Sequence, residues 1–471
     1  MPPPIAIIGG GISGLAAAFE LQLLGVPFVL LERAPQCGGV VRTDHIDGYT
    51  IDAGPDALLT QKPAAIDLCR DLGVDGRLRS QTSRATFVAR NGSLQELPEA
   101  SVLGIPTRWR PFVTTNAFSW HGKLRMAAEM AIPRGGRDDE SIASFIGRRF
   151  GREAVDYLAE PLLAGIHGGD PARLSMRSAF PRFLELEARY GSVIAGLRHL
   201  RVRPSAANGR PASPFVALPG GMSELTAALV QRLPPECVRT QIAVEEISET
   251  PRGYALKLSG REPLEAPVVI MATPPAVTAQ LVRRVDSDFA DLCGRIRAAS
   301  VVTVALGYRR SAVRHPLNGT GLVVPRREGL TIRALSWVSS KWAGRAPAGR
   351  ALLRAYLGGT QDPDAIERSD GELIAAACRD TSTLVNTVED PELARVYRWR
   401  EATPQLEVGH GDLMWKIEHR LNLRPNLLLS ASGFRGTGIA DCVADARQQA
   451  RRAAERIRAA GEIAEKTGSA A

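Results

Sequence analysis

The sequence predicts an α/β fold joined to a second domain of mixed α+β type. Residues 5–21 run from a short apolar strand through a glycine-rich turn into an apolar helix, and a second apolar strand ends at Glu32. The same order of strand, glycine turn and helix returns near the end of the chain, at residues 426–443. Between residues 276 and 400, strand-like and helix-like segments alternate, which predicts a separate α+β domain.

A chain of 471 residues is long enough for two or three domains with sizeable cores. Its 44% hydrophobic and 23% charged residues are typical of a globular protein. No window of the sequence reaches the apolar length that a membrane-spanning helix needs. The opening residues, Met-Pro-Pro-Pro, carry no basic region and no cleavable hydrophobic core. We therefore expect a cytoplasmic protein.

The charge and the cysteines argue against several kinds of site. The net charge is +9, but 53 of the 59 basic residues are arginines, so a general preference for arginine explains the charge as well as an acidic partner does. No basic cluster is interleaved with aromatic residues, and no nucleic-acid partner is expected. The six cysteines are scattered without a Cys-x-x-Cys pair, which argues against a metal site and a disulfide framework.

The first glycine turn has the spacing of a dinucleotide-binding site. Gly9 permits a tight turn, Gly11 lets a pyrophosphate approach the backbone, and Gly14 lets the helix pack close to the strand. The helix N-terminus then presents free amides and a favourable dipole to the phosphates. Glu32 ends the second strand, where a carboxylate can bind a ribose hydroxyl. Together these features predict a bound dinucleotide rather than an unoccupied βαβ unit.

Two further glycine elements indicate a flavin enzyme. Gly38 and Gly39 permit close approach to a cofactor, and Arg42 follows three positions after the second glycine. The terminal turn, residues 433–441, places a second helix N-terminus where it can face the same cofactor. An N-terminal nucleotide fold that a C-terminal strand, turn and helix complete is the layout of flavin enzymes rather than of simple nicotinamide dehydrogenases.

Residues 98–205 have helical periodicity and an unusual density of aromatic residues. Trp109, Phe112, Phe118 and Trp120 lie among several arginines and lysines, in a chain that is only 5% aromatic. Aromatic and basic residues together indicate a surface that contacts a membrane interface. The alternative, aromatic residues that close a helical core, has equal weight.

The pattern divides the chain into one interrupted nucleotide-binding domain, two further domains and a tail. The proline- and serine-rich residues 203–214 mark one domain crossing. The expected bounds are 1–90, 206–275 and 406–460 for the nucleotide-binding domain, 91–205 for a helical domain that faces the membrane and the substrate entrance, 276–405 for a substrate-binding α+β domain, and 461–471 for a disordered tail.

These motifs together resemble the flavin amine oxidase superfamily. The glycine turn, the Gly-Gly-x-x-Arg stretch at 38–42 and the Asp-x-Gly-Pro stretch at 52–55 carry that resemblance. Further stretches narrow it to the oxygen-dependent protoporphyrinogen/coproporphyrinogen oxidases of haem biosynthesis. They are residues 139–151, 161–175, 180–194, 404–410 and 436–442. The resemblance covers nearly the whole chain.

The resemblance implies a Rossmann-like FAD-binding domain of the p-hydroxybenzoate-hydroxylase type, a mixed-sheet substrate domain and a helical membrane-facing domain. Within the FAD site, the first turn would bind the pyrophosphate, Glu32 and Arg33 the ribose, Val244 the adenine, and the terminal turn the pyrimidine end of the flavin. By motif match the residues at FAD would be Gly9, Gly10, Gly11, Ile12, Ser13, Gly14, Glu32, Arg33, Gly38, Gly39, Val40, Arg42, Gly54, Pro55, Asp56, Ala57, Val244, Trp399, Thr437, Gly438 and Ile439.

The chain departs from the family pattern at one substrate contact. Family members often bind a substrate propionate through an arginine just before an aromatic strand, and Thr86 stands at that position. Arg84 or Arg90 would replace this arginine, or would be a solvated loop charge, and Arg84 is the substrate contact we expect. His410 follows the family pattern, and a structural histidine is favoured there over a functional one.

The implied activity is the FAD-dependent oxidation of a porphyrinogen to a porphyrin by O2, with release of hydrogen peroxide. The flavin carries the chemistry, so no side chain is expected to be catalytic. We take protoporphyrinogen IX as the expected substrate and coproporphyrinogen III as the alternative. More distant alternatives are an amine oxidase or carotenoid desaturase, and an escort-type binding protein without activity. We expect a monomer or homodimer that contacts the inner face of the cell membrane peripherally through residues 109–120.

Overall fold

A five-stranded parallel sheet forms the centre of one half of the molecule in the computed structural model, which describes residues 4–98, 101–102, 105–106, 109–135, 138–201 and 213–468. All four strand pairs are parallel. Apart from the edge strand Val238–Arg239, every strand residue is buried, as expected for a parallel sheet that is covered on both faces. The strand order is Val238–Arg239, Phe28–Leu31, Ile5–Ile8, Val269–Met271 and Leu427–Leu429.

Helices cover one face of this sheet, and the first and last helices of the chain pack against each other there. Buried alanines on both helices, among them Ala17 and Ala446, allow their close approach. The Glu20 carboxylate of the first helix accepts hydrogen bonds from Arg447 at 2.6 Å and Arg451 at 2.7 Å on the last. The helices of this layer are Ile12–Leu23, Ala64–Asp71, Ser223–Arg232 and Ile439–Gly468.

The opposite face is covered by a three-stranded antiparallel sheet and by three helices. Their apolar side chains, such as Ile247, Leu256 and Phe289, share one core with Ile8 and Leu31 of the parallel sheet. The strands are Val244–Thr250, Gly253–Leu258 and Leu264–Ala266, and the helices are Pro275–Leu281, Ser287–Gly294 and His410–Asn422.

The other half of the molecule is built on a seven-stranded mixed sheet. Side chains alternate between its faces: Leu353 packs with Leu373 of the helix Asp370–Val385 on the outer face, whereas Leu352 packs into the core of the parallel-sheet half. Site residues on the inner face therefore lie between the two sheets. The strand order is Leu393–Pro404, Ala298–Arg309, Arg350–Gly358, Ala334–Trp337, Gly321–Val323, Thr86–Arg90 and Ser93–Glu96.

A block of short helices lies over one end of the inner face of the seven-stranded sheet. Its core joins Phe145 and Leu163 to Val323 and Ala334 of the sheet. Ser141 caps one helix by accepting a hydrogen bond from the Ser144 amide at 3.1 Å. The helices are Trp109–Thr114, Trp120–Ala127, Ile142–Phe150, Arg152–Ala154, Glu160–His167, Met176–Ala179, Pro181–Tyr190 and Val193–Arg201, with a π-helical turn at Val155–Ala159.

The aromatic cluster of this block divides between core and surface. Phe112 and Phe118 are buried, with ring centroids 6.4 Å apart, and so close the helical core. Trp120 is 66% exposed, and Leu124 on the next turn of the same helix is 70% exposed. The side chain of Trp109 lies outside the described residues. Among the described residues, no helix has the length and apolar character that crossing a membrane requires.

The structure differs from the sequence prediction at two segment bounds. The strands Thr86–Arg90 and Ser93–Glu96 form a hairpin, and its turn residues Asn91 and Gly92 have φ of 49° and 71°. The first of these strands pairs with Gly321–Val323 in the seven-stranded sheet. The expected bound at residue 90 therefore falls inside this hairpin. The last helix continues to Gly468, whereas a disordered tail was expected from residue 461, because residues 462–466, Glu-Ile-Ala-Glu-Lys, favour helix. Most of the expected crossing at 203–214 lies outside the described residues.

Small pairs of strands complete the fold and connect its larger parts. Thr43–Ile46 pairs with Tyr49–Asp52, and Ser101–Val102 pairs with Ile105–Pro106. The strand Phe215–Ala217 lies between Leu58–Leu59 and Arg79–Ser80.

Candidate active site

The first glycine turn has the geometry that its sequence predicts. Gly9 has φ of +105°, which favours glycine, and a Cβ on Gly14 would lie 1.8 Å from the Gly9 carbonyl oxygen. A Cβ on Gly11 would meet no atom within 4 Å. The turn is therefore tightly packed towards the sheet and open at Gly11. Ile12 and Ser13 begin the helix with buried side chains, so only their backbone amides are available to a ligand at this end.

Glu32 lies at the turn, where its carboxylate holds the backbone in place. Its Oε2 accepts the Gly10 amide at 2.6 Å, and its Oε1 accepts the Ala34 amide at 2.8 Å. Each oxygen keeps a second lone pair with which to accept a ligand hydroxyl. The Arg33 side chain is exposed beside it. The segment that leads to Val244 also meets this point, because the Ile242 amide donates to the Glu32 carbonyl at 2.9 Å.

The second glycine pair extends the first turn. The Gly38 amide donates to the Gly10 carbonyl at 2.8 Å, and a Cβ on Gly39 would lie 3.3 Å from Gly11 Cα. The next residue, Val40, is 42% exposed. Arg42 is turned aside: its Nε and Nη2 each donate to the Asp44 carboxylate at 3.1 Å. The glycine pair therefore extends the first turn, and we call residues 9–14 and 38–40 together the cofactor cradle. The Arg42 guanidinium does not face it, because it pairs with Asp44.

The loop at Gly54 joins this cradle to the seven-stranded sheet. A Cβ on Gly54 would lie 2.0 Å from the Val40 carbonyl oxygen, so only glycine fits there. Trp399, on an edge strand of the seven-stranded sheet, donates from Nε1 to the Ala53 carbonyl at 2.9 Å. Pro55 and Ala57 are half-buried on either side of Asp56. The glycine stretch that ends at Val40, the Gly54 loop and Trp399 thus meet at one point.

Three cations, Lys341, Arg345 and Arg354, hold this loop and the strand before it, and sequence reasoning missed all of them. Lys341 Nζ lies 2.9 Å from Asp56 Oδ2, and Arg345 Nη2 lies 3.0 Å from Asp52 Oδ2. Burial by itself would raise the pKa of Asp56, but Lys341 and Arg354 outweigh it and hold that pKa well below its usual range. For Arg354 alone, the available signal was an arginine in the mostly apolar interior of the strand Arg350–Gly358.

The terminal turn brings the start of the last helix next to the start of the first. Gly436 has φ of +155°, and its carbonyl accepts the Gly433 amide at 2.8 Å. Burial raises the pKa of the Cys442 thiol to about 11, and hydrogen bonds with Ser13 and Ser432 oppose this rise. Thr437 and Ile439 are half-buried and Gly438 is exposed, so this turn is open on the ligand side.

His410 supports the terminal turn from behind. Its side chain is buried, and its Nε2 lies 2.8 Å from the Phe434 carbonyl oxygen, to which the Nε2–H tautomer donates. Burial lowers the pKa of His410, so the imidazole is neutral near pH 7. These contacts are those of a structural histidine.

Arg84 and Arg90, the two arginines considered for the substrate propionate, lie in different environments. Arg90 forms an ion pair with Glu153 at 2.7 Å and lies over the Tyr157 ring at 4.5 Å, so it is fixed within the helical block. Arg84 is exposed on the loop before the strand. Thr86 contacts Thr320, with 3.0 Å between the two hydroxyl oxygens.

The residues present fit FAD. Two helix N-termini with open turns provide amides for a pyrophosphate and for the pyrimidine end of a flavin. Gly11 leaves the open space that a close backbone approach needs, and Glu32 keeps lone pairs for a ribose. Within the described residues, no group of histidine, cysteine, aspartate and glutamate has the arrangement of a metal site.

Comparison with known proteins agrees with this fit. Coproporphyrinogen III oxidase of Bacillus subtilis (strain 168) is 34% identical over 449 residues, which cover 93% of this chain and 95% of that protein. Protoporphyrinogen oxidase 1, chloroplastic, of Spinacia oleracea is 28% identical, and the match covers 94% of this chain and 83% of that protein. The crystal structure of a candidate protoporphyrinogen oxidase from Exiguobacterium sp. 255-15 matches with a TM-score of 0.85 at 28% identity, over 96% of this chain and 98% of that one.

The family model for flavin containing amine oxidoreductases matches residues 12–458, nearly the whole chain. This match begins with the first helix, directly after Gly11, and includes the Gly54 loop and most of the last helix, which lie at the candidate site. The chain belongs to the flavin-containing amine oxidoreductase family, and its cofactor is FAD.

Proposed function

We propose that the protein oxidises coproporphyrinogen III to coproporphyrin III with FAD and O2, releasing hydrogen peroxide, in haem biosynthesis. One observation carries the proposal: bacterial relatives with that name align over nearly the entire chain, including the 34% identical protein of Bacillus subtilis. A relative from Staphylococcus aureus has the same name and is 30% identical over 94% of this chain. These relatives favour coproporphyrinogen over the protoporphyrinogen expected from sequence.

The proposed reaction removes six hydrogens from the macrocycle. Bound FAD would supply the two-electron redox chemistry for this oxidation, with O2 as the final acceptor. The protein binds and orients the macrocycle and excludes water between the two sheets. The Gly54 loop, which Trp399 of the seven-stranded sheet holds through the Ala53 carbonyl, would lie beside the flavin. FAD would contact the residues that the motif match names.

Protoporphyrinogen IX is the second candidate substrate, because the spinach relative and the Exiguobacterium structure carry that name. The two porphyrinogens differ at the rim of the ring, where coproporphyrinogen has two propionates in place of two vinyl groups. A site that hydrogen-bonds those carboxylates rejects the vinyl compound strongly, because its own donors are then left without partners.

The purified protein is expected to oxidise coproporphyrinogen III with a kcat/KM at least about tenfold higher than for protoporphyrinogen IX. The measurement is oxygen uptake together with peroxide yield and porphyrin fluorescence, with both substrates at equal concentration. A preference for protoporphyrinogen would support the second candidate. Turnover of amines or carotenoids without turnover of either porphyrinogen would overturn the proposal, and a colourless protein without flavin would support an escort-type function.

We also propose that the protein is cytoplasmic and that the helical block contacts an anionic membrane surface peripherally. Trp120 and Leu124 project from one face of the helix Trp120–Ala127 and are mostly exposed. Lys123 lies beneath this indole: it is only 6% exposed, its ammonium lies 4.4 Å from the centroid of the Trp120 ring, and it donates to the Val113 carbonyl at 2.7 Å. An exposed indole next to an exposed leucine suits the interface between lipid headgroups and acyl chains.

The double variant Trp120→Ala/Leu124→Ala is expected to bind anionic phospholipid vesicles about tenfold more weakly, because it loses two apolar anchors. Co-sedimentation with vesicles measures this partition. Trp415→Ala is the matched control, since Trp415 is 67% exposed on the other half of the molecule. Equal vesicle binding by all three proteins would contradict the membrane contact.

A further inference from the structure

A buried polar segment connects the helical block to the terminal turn. Residues 404–410, which we call the joint, begin at the end of the edge strand Leu393–Pro404 and end at the start of the helix His410–Asn422. His410 is only 7% exposed. Buried polar groups in proteins are hydrogen-bonded, so the partners of the joint show what it holds in place.

One side of the joint is bonded to the helical block. The Ser175 amide donates to the Leu406 carbonyl at 2.8 Å. The Asp139 carboxylate bridges the block and the joint, because it accepts the Ser175 hydroxyl at 2.7 Å and the Gly409 amide at 2.9 Å. Backbone groups of the joint take part in both contacts, so the joint is fixed to the block along its length.

The other side of the joint holds the terminal turn. His410 Nε2 donates to the Phe434 carbonyl at 2.8 Å. Pro404 packs against the same turn, since an added Cβ on Gly433 would lie 2.6 Å from Pro404 Cβ. Phe434 is only 1% exposed, so water does not replace the imidazole as donor. The joint therefore supports from behind the turn whose open side carries residues 437–439, the predicted contact with the pyrimidine end of the flavin.

We propose that His410 is a positioning residue for FAD, which sets the place of residues 437–439 through its bond to the Phe434 carbonyl. Amides of this turn stabilise the electron-rich, reduced flavin only where they lie close to its pyrimidine end. Asp139 has a part in the same role, because it fixes the joint to the helical block. The inference rests on FAD, the cofactor of the family, and on the predicted pyrimidine contact. It holds for either porphyrinogen and so goes beyond the proposed function.

Two amide side chains at position 410 test the bond without removing polarity. A glutamine nitrogen reaches about as far from the backbone as histidine Nε2, whereas asparagine is one methylene shorter and does not reach the Phe434 carbonyl. His410→Asn is expected to bind FAD about fivefold more weakly than the wild type, and His410→Gln to stay within about twofold of it. Flavin fluorescence on serial dilution of the FAD-loaded proteins measures the dissociation constant. Wild-type affinity in His410→Asn, or equal weakening in both variants, would overturn the inference.

The reduction potential of the bound flavin separates positioning from a general loss of stability. It is expected to fall in His410→Asn, because displaced amides stabilise the reduced form less, and to return to the wild-type value in His410→Gln. His315→Leu is the matched control. His315 is half-buried, accepts the Leu317 amide at Nδ1 at 3.0 Å, and packs against Trp337 in the outer-face core, 4.7 Å between ring centroids.

His315→Leu also loses a bond between a histidine and the backbone, so it should unfold at lower urea concentration than the wild type. It should keep the FAD affinity and the flavin potential. A His315→Leu protein in which both change as they do in His410→Asn would show that lost stability alone produces the effect, and would overturn the inference.

Asp139 variants test the other end of the joint and leave His410 in place, so they serve even where His410→Asn does not fold. Asp139→Ala is expected to weaken FAD binding about threefold through loss of the Gly409 bond. Asp139→Asn should bind FAD like the wild type, because its amide oxygen still accepts from Gly409. The double variant Asp139→Ala/His410→Asn should bind FAD no more weakly than His410→Asn, since both changes act on the same turn. Losses that multiply in the double variant would overturn the link through the joint. None of these measurements uses porphyrinogen turnover, so they remain informative whichever substrate the protein oxidises.

Discussion

Gly14→Ala is expected to disrupt the strand, turn and helix at the start of the chain, whereas Gly11→Ala is expected to leave the apoprotein folded and to weaken FAD binding. The added methyl at Gly14 would lie 1.8 Å from the Gly9 carbonyl oxygen, a backbone atom that cannot move without moving the strand. We expect a loss of at least about 3 kcal/mol in the free energy of unfolding, the upper range for overpacking.

The methyl at Gly11 meets nothing within 4 Å, and Gly11 has φ of −71°, which any residue adopts. Its only expected effect is therefore on a ligand that approaches the backbone there. We expect FAD affinity to fall at least about tenfold, the equivalent of one lost hydrogen bond. Flavin fluorescence titration measures this affinity, and urea unfolding of the apoprotein measures stability.

Gly371→Ala is the control for both glycine variants, because Gly371 lies in the exposed first turn of a helix and its added methyl also meets nothing within 4 Å. It should keep the stability and the FAD affinity of the wild type. A Gly11→Ala protein that binds FAD normally would contradict the placement of the pyrophosphate at this turn. A Gly14→Ala protein as stable as the wild type would contradict the tight packing of the turn.

Arg149→Met is expected to destabilise the helical block by about 3–5 kcal/mol, the cost of removing one partner from a buried ion pair. Arg149 and Glu129 are both 0% exposed and form an ion pair. Arg149 also donates to the Ile132 carbonyl at 2.9 Å and to the Gly191 carbonyl at 2.8 Å. The Glu129 carboxylate accepts from Ser192 Oγ at 2.5 Å and from the Val193 amide at 2.8 Å.

The variant removes the charge that balances a buried carboxylate and leaves several carbonyls without donors. Urea unfolding, followed by circular dichroism, measures the change. Two comparisons test the cause. Arg149→Met/Glu129→Gln should be less destabilised than Arg149→Met, because no unpaired charge remains. Arg309→Met, at an exposed ion pair with Glu392, should unfold like the wild type. An Arg149→Met protein as stable as the wild type would contradict the account.

The local chemistry of the cofactor cradle could be predicted from sequence, because a glycine turn carries its own geometric signal. Gly9, Gly14 and Gly54 each lie where a Cβ would meet a backbone oxygen, and all three belong to motifs that are read over a few residues. FAD was predicted on the same ground, and family membership confirms it. The contacts of individual residues with FAD remain predictions.

The residues that hold the site together could not be predicted in the same way. Lys341, Arg345 and Arg354 meet residues 52–56 from almost 300 positions away along the chain. No periodicity within a strand or helix encodes such a contact, since it depends on how two sheets face each other. Whether an aromatic residue of the helical block is buried or exposed likewise depends on tertiary packing, which buries Phe112 and exposes Trp120.

The central sheet has a consequence for synthesis of the chain. Its strand order brings together Ile5–Ile8 with Leu427–Leu429, and the first helix packs against the last. A nascent chain on the ribosome thus exposes the first glycine turn long before the terminal turn exists. The two glycine turns can lie side by side only after the last helix has emerged. A protein shortened before residue 426 would lack an edge strand of the sheet, the terminal turn and the last helix.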